Sequence, residues 1–203
     1  VALYYVKYIL NSESSATAFM TLGMLGMLIG ASLAPAVSAR LCKIKVYSFC
    51  NIGIAVLCLL FYVKGHSSIA LAFGLHFIIG LLQQLTTPIL WAMLSDTVDY
   101  GEWKSGTRIT GLAFSATLFA LKFGMALAGA MTGWVLAGYG YDGSAAQQSD
   151  SAQHGIIILF TLVPALTAIV GAVLVRKYQL DDATLTEVQQ RLKNGAPFTP
   201  LSS

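Results

Sequence analysis

Five stretches of this 203-residue chain run for eighteen residues or more with almost no charge. They extend from Thr17 to Ser38, Val46 to Val63, Ser68 to Ser95, Ile109 to Gly138 and Gly155 to Val175, and Lys122 alone interrupts them. About 20 apolar residues let a helix cross roughly 30 Å of hydrocarbon. In lipid each backbone amide and carbonyl must be satisfied within the segment, so such stretches become α-helices. The pattern predicts an all-α, polytopic membrane helix bundle. Composition supports it: 56% of residues are hydrophobic and 10% charged, against about 25% charged in an ordinary soluble domain. So few charges would not cover a soluble fold of this size. A net charge of +3 with no basic run gives nucleic acid no footing.

The opening segment VALYYVKYIL is apolar and aromatic but ten residues long, about half the reach of a span. It reads as the end of a helix whose first half lies upstream, with its tyrosines at the aromatic belt. A short interfacial helix is the alternative. Arg40, Lys43, Lys45, Lys104, Arg108, Arg176, Lys177, Arg191 and Lys193 fall in one set of loops, and Lys64 alone in the other. Positive charge gathers on the cytoplasmic side, which puts the C-terminus in the cytoplasm. Residues 1–178 then form a transmembrane bundle and 179–203 a cytoplasmic tail. The outward loop from Tyr139 to Gln153 reads as flexible polar linker. In the tail, Asp182 is placed to cap a short amphipathic helix carrying Leu185, Val188 and Leu192, and GAPFTPLSS is expected to be disordered. No basic n-region or cleavage site suggests a secretory leader.

Cys42, Cys50 and Cys58 lie eight residues apart, a spacing that suits neither a metal site nor a redox pair. They read as small apolar fillers. Gly26 with Gly30, and Gly129 with Gly133, have the four-residue spacing that lets membrane helices approach closely. No phosphate loop, nucleophile set or metal cluster stands out, so an enzyme is not expected and no cofactor is implied.

Two polar features remain. Asp96, Asp99 and Glu102 recur every three residues before Lys104 and Arg108, so a helical continuation sets the acids along one face. They form either a cytoplasmic ionic latch that opens and closes with alternating access, or a solvated turn between spans. Lys122 sits fourteen residues into its span, where an ionisable group costs a few kcal/mol unless it faces a cavity or a partner. It either donates to a ligand in a cavity or is paired for structure alone. Gln83, Gln84, Thr86 and Thr87 lie mid-span before Pro88, Trp91 offers a flat apolar face, and Ser115 shares the face of Lys122 two turns away. His76 reads as an interior histidine, with a proton-carrying role as the sharper alternative.

The run Asp96-Thr97-Val98-Asp99-Tyr100-Gly101-Glu102, followed by Lys104 and Arg108, resembles a signature of the glycoside–pentoside–hexuronide:cation symporters, the melibiose-carrier group of the major facilitator superfamily. The span count is similar to that family's helices eight to twelve, with the opening decapeptide as the end of helix seven. The resemblance implies the C-terminal half of a major facilitator fold and symport of a sugar with H+ or Na+. It implies that Lys122 lies at the sugar cavity; Trp91, Gln84, Thr87 and Ser115 join it as expected substrate-binding residues on their depth in the spans. Asp96, Asp99, Glu102 and Arg108 become the cytoplasmic gate. The coupling cation is expected on acidic residues of an N-terminal six-helix half not contained in this chain. Implied partners are the sugar, the cation, that missing half and the lipid bilayer of the cell inner membrane. The competing expectation is a non-transporting fragment or membrane scaffold remnant.

Overall fold

The computed structural model describes residues 1–145, 147–178, 180 and 182–194, and side chains of 182 and 183 are outside that description. A short helix, α1 (Ala2–Tyr4), runs into a π-helical turn (Tyr5–Ile9). Asn11 ends it with φ 48, a left-handed conformation that asparagine tolerates better than most residues. A 3-10 turn (Glu13–Ser15) then leads into α2 (Ala16–Ser38). The remaining helices are α3 (Lys43–Lys64), α4 (Ile69–Ser105), α5 (Thr110–Gly138), α6 (Asp150–Val175) and α7 (Asp182–Lys193). Among the described residues there is no strand, and five helices are long and apolar enough to cross a membrane. The chain is a polytopic helical bundle.

Boundaries depart from the apolar pattern where polar residues continue a helix. The apolar run of α4 stops at Ser95, yet the helix extends to Ser105, for 37 residues in all. That is about 55 Å of helix, well beyond the roughly 30 Å hydrocarbon layer. Gly106 ends it at φ 70, its amide donating to the Glu102 carbonyl at 2.8 Å, the left-handed cap for which glycine is suited. Gly101 stays inside the helix and makes no turn. At the other end of the bundle, α6 begins at Asp150 rather than Gly155, with the Ser149 hydroxyl accepting from the Ala152 amide.

The loop before α6 is knit together rather than loose. Gln148 is buried; its side-chain oxygen accepts from the Asp142 amide, and its nitrogen donates to the Asp142 carbonyl. The hydroxyl and amide of Ser144 hold the Asp142 carboxyl below its usual pKa. In the tail, α7 buries Leu185 and Val188, with Leu192 half-buried. The capping role of Asp182 and the expected disorder of residues 195–203 lie outside the described residues.

Packing is uneven. α2 lies against α4 through glycines: a methyl at Gly26 or Gly30 would run into the Phe77 or Leu81 carbonyl oxygen, and one at Gly80 would sit 2.8 Å from the Gly23 carbonyl. At Gly129 and Gly133 on α5 the same methyl meets open space. α3 packs on α4 and α6, burying Cys50 and Cys58 as free thiols; Cys42 is half-buried. An aromatic cluster of Tyr5, Phe19 and Phe61, joined by Phe160, ties the π-turn to α2, α3 and α6. α5 stands apart. Of its 29 residues only Leu136 is buried, where the helix end meets that cluster.

Candidate functional site

A cavity of about 410 Å³ opens where α5 meets the middle of α4. Its walls include Thr87, Trp91 and Thr97 of α4, Thr117 and Leu121 of α5, and Tyr178 just beyond α6. Ligand pockets span about 300 to 1,000 Å³, so a monosaccharide-sized guest is within its scale. The hydroxyls there have their protons already engaged. Thr97 donates to the Met93 carbonyl at 2.8 Å, Thr117 to that of Ala113 at 2.9 Å, and Tyr178 to Met93 at 3.2 Å. Lone pairs are what these oxygens still offer, an arrangement able to accept from hydroxyl donors. Trp91 lies nearly parallel to Phe114, 5.9 Å between ring centres at 15°. Phe114 therefore covers one face of the indole that the sequence offers as a stacking surface.

Of the residues expected to bind substrate, the structure brings Thr87 and Trp91 to this cavity. Ser115 and Lys122 form a stripe on α5 beside it: seven residues apart, they fall within about 20° of one another at roughly 100° per residue. Both are exposed. Among the described residues the Lys122 amine has no hydrogen bond or ion pair, and Lys122 is the one charged side chain in α5. Ser115 donates to the Gly111 carbonyl at 2.7 Å. Gln84 is half-buried and lines neither this cavity nor a smaller one of about 150 Å³. The smaller one collects Asn51, Gln83, Thr86 and Thr167 between α3, α4 and α6. His76 stacks on Phe19, ring centres 4.1 Å apart at 8°, and packs against Gly23; that is an interior setting.

The acidic segment divides in two. Asp96 is 6% exposed and pairs with Lys43 at the start of α3, 2.5 Å from Nζ to Oδ2. Its partner sits inside the same bundle, so Asp96 braces α3 to α4. Asp99 and Glu102 turn instead to Arg108, at 3.3 Å and 2.5 Å. The hydrogen bond that Arg108 donates to Glu102, then the charges of Glu102 and Asp99, raise the Arg108 pKa above its ordinary value. Lys104 is exposed and has no ion pair among the described residues. Lys43, Thr117, Leu121 and Tyr178 are site residues that the sequence reading did not single out. The clue to Lys43 was available in the loop charges Arg40, Lys43 and Lys45, which share an end of the bundle with the acids.

Comparison with known proteins adds a family. A family model described as MFS/sugar transport protein matches residues 1–182. The chain is 42% identical over 95% of its length to the inner membrane symporter YicJ of Escherichia coli, covering 42% of that protein. It is 38% identical over 92% of its length to an uncharacterized 29.9 kDa protein of Pseudescherichia vulneris, covering 68% of it. With the glucuronide carrier protein homolog of Escherichia coli it shares 29% identity over 95% of the chain, again 42% of the relative. The chain thus spans about two fifths of YicJ and of the glucuronide carrier homolog.

Proposed function

We propose, from the premise that the chain belongs to the MFS/sugar transport protein family, that it is one helix bundle of a secondary carrier moving a sugar with a cation by alternating access. The carrying observation is α5, which spans 29 residues with Leu136 alone buried and, at its middle, a Lys122 unpaired among the described residues. A lysine at that depth is too costly to leave in lipid. It faces either water or another protein surface, and a central path between two bundles offers both. Thr87 and Trp91 bind sugar from α4, Ser115 and Lys122 from α5, and Gln84 supports them from a position one turn before Pro88. A second bundle upstream closes the path and carries the cation, H+ or Na+. The basic end of the bundle, with the tail, faces the cytoplasm of the cell whose inner membrane holds it. There Asp99, Glu102 and Arg108 act as the latch, braced by Asp96. The names of YicJ and of the glucuronide carrier homolog support symport and a hexuronide-like cargo.

The test is water access. In the complete carrier, with Cys42, Cys50 and Cys58 replaced by serine, Ser115→Cys is expected to react with a hydrophilic thiol reagent, and transported sugar to slow the reaction several-fold. Leu166→Cys, on an exposed apolar face of α6, stays unlabelled. Failure of Ser115→Cys to react, or reaction indifferent to a broad panel of sugars, sinks the central path.

A further inference from the structure

The ten residues of α4 beyond Ser95 leave the apolar run, yet they remain helical. They continue an existing helix and need no new nucleus, but an unpacked helix end frays in water. α7 covers this one. Leu185 and Val188 stand one turn apart on α7 and are 5% and 0% exposed, while Trp103 on the α4 extension is 4% exposed. The Arg191 guanidinium lies 5.9 Å over the Trp103 ring, a favourable cation–π arrangement. Glu187, one turn earlier, holds that guanidinium at 2.5 Å. The connection is tethered as well, because the Tyr178 hydroxyl donates to the Met93 carbonyl.

Trp103 directly follows Glu102 and shares a helix face with Asp96 and Asp99, at spacings of seven and four. Arg108 reaches both Asp99 and Glu102 only while the extension is helical. We propose that α7 is a clamp on α4, and that Trp103 is a positioning residue that holds Asp99 and Glu102 in register for Arg108. The proposal rests on the latch reading above. Releasing α7 exposes Trp103, frays the extension and separates the two acids, so the tail sets how firmly the basic end closes.

A double-mutant cycle tests it, using the complete carrier in membrane vesicles with uptake normalised to folded protein. W103A and R108A are each expected to lower initial uptake about tenfold, within the range of couplings carried by residues remote from ligand. The double variant should be no worse than the weaker single, and W103F should restore most of the rate. A double variant whose loss multiplies, or a W103A carrier with normal uptake, overturns the positioning role. Should R108A alone change nothing, the latch reading fails, and trypsin cleavage after Lys104 judges the clamp by itself. W103A, or L185S with V188S where W103A does not fold, should then speed cleavage about tenfold; an unchanged rate overturns the clamp.

Discussion

Lys122→Ala in the complete carrier is expected to lower sugar accumulation about 10- to 100-fold while folded protein in the membrane stays constant. The magnitude follows from losing a charged hydrogen bond to substrate, worth about 1.5 to 3 kcal/mol. Stability is spared because the amine has no ion pair or hydrogen bond among the described residues, so its removal strands no partner. Lys122→Arg keeps the charge but changes its shape, and should recover only part of the rate. Initial rates of labelled-sugar uptake, set against protein quantified in the same membranes, decide the matter. Uptake by Lys122→Ala at the level of the unaltered carrier removes Lys122 from the path.

Asp96→Asn acts differently. Here the expected loss is of the fold, by about 3 kcal/mol, the low end of the range for breaking a buried pair because Lys43 keeps some contact with water. Lys43→Met should cost a similar amount, since it strands the carboxylate at 6% exposure. Changing both together, to methionine and leucine, should regain most of the loss, because an apolar pair of similar volume leaves no buried charge. The unfolding midpoint in detergent reads all three. An Asp96→Asn protein with the unaltered midpoint but lower transport would make Asp96 a latch residue after all, and not a brace.

Lipid explains why so much of the architecture was legible. A bilayer converts length and apolarity directly into helices, so the five spans follow from composition alone. What went unread depends on contacts between segments distant in sequence. The polar run from Asp96 to Ser105 looks like a loop, and it stays helical because α7 covers Trp103 and Lys43 neutralises Asp96. The three acids share one spacing, yet their partners differ: Lys43 lies 53 residues away, whereas Arg108 is nearby. No periodicity distinguishes those fates.

The candidate site shows the same division. Depth in the span singled out Lys122, because a charge at mid-membrane is costly wherever the chain goes. Depth also nominated Gln84, Thr87, Trp91 and Ser115, but it says nothing about direction around the helix. The structure turns Thr87 and Trp91 to the cavity, Gln83 and Thr86 to a smaller one, and sets Ser115 and Lys122 on an open stripe. Phe114 against Trp91 was invisible in sequence because it requires α5 to lie beside α4 at one register. The loop before α6 misled by composition: Gly, Ser and Gln suggest a loose linker, while one buried Gln148 fastens it to Asp142.

The most direct test of the central claim is gradient-driven accumulation of a labelled sugar. The chain, joined to its native upstream sequence, would be placed in vesicles with an imposed proton or sodium gradient. Glycosides, pentosides and hexuronides would be offered in turn. The account predicts uphill accumulation of at least one sugar, abolished when the coupling gradient is collapsed. Folded protein in the membrane with no accumulation of any sugar under either gradient would contradict it.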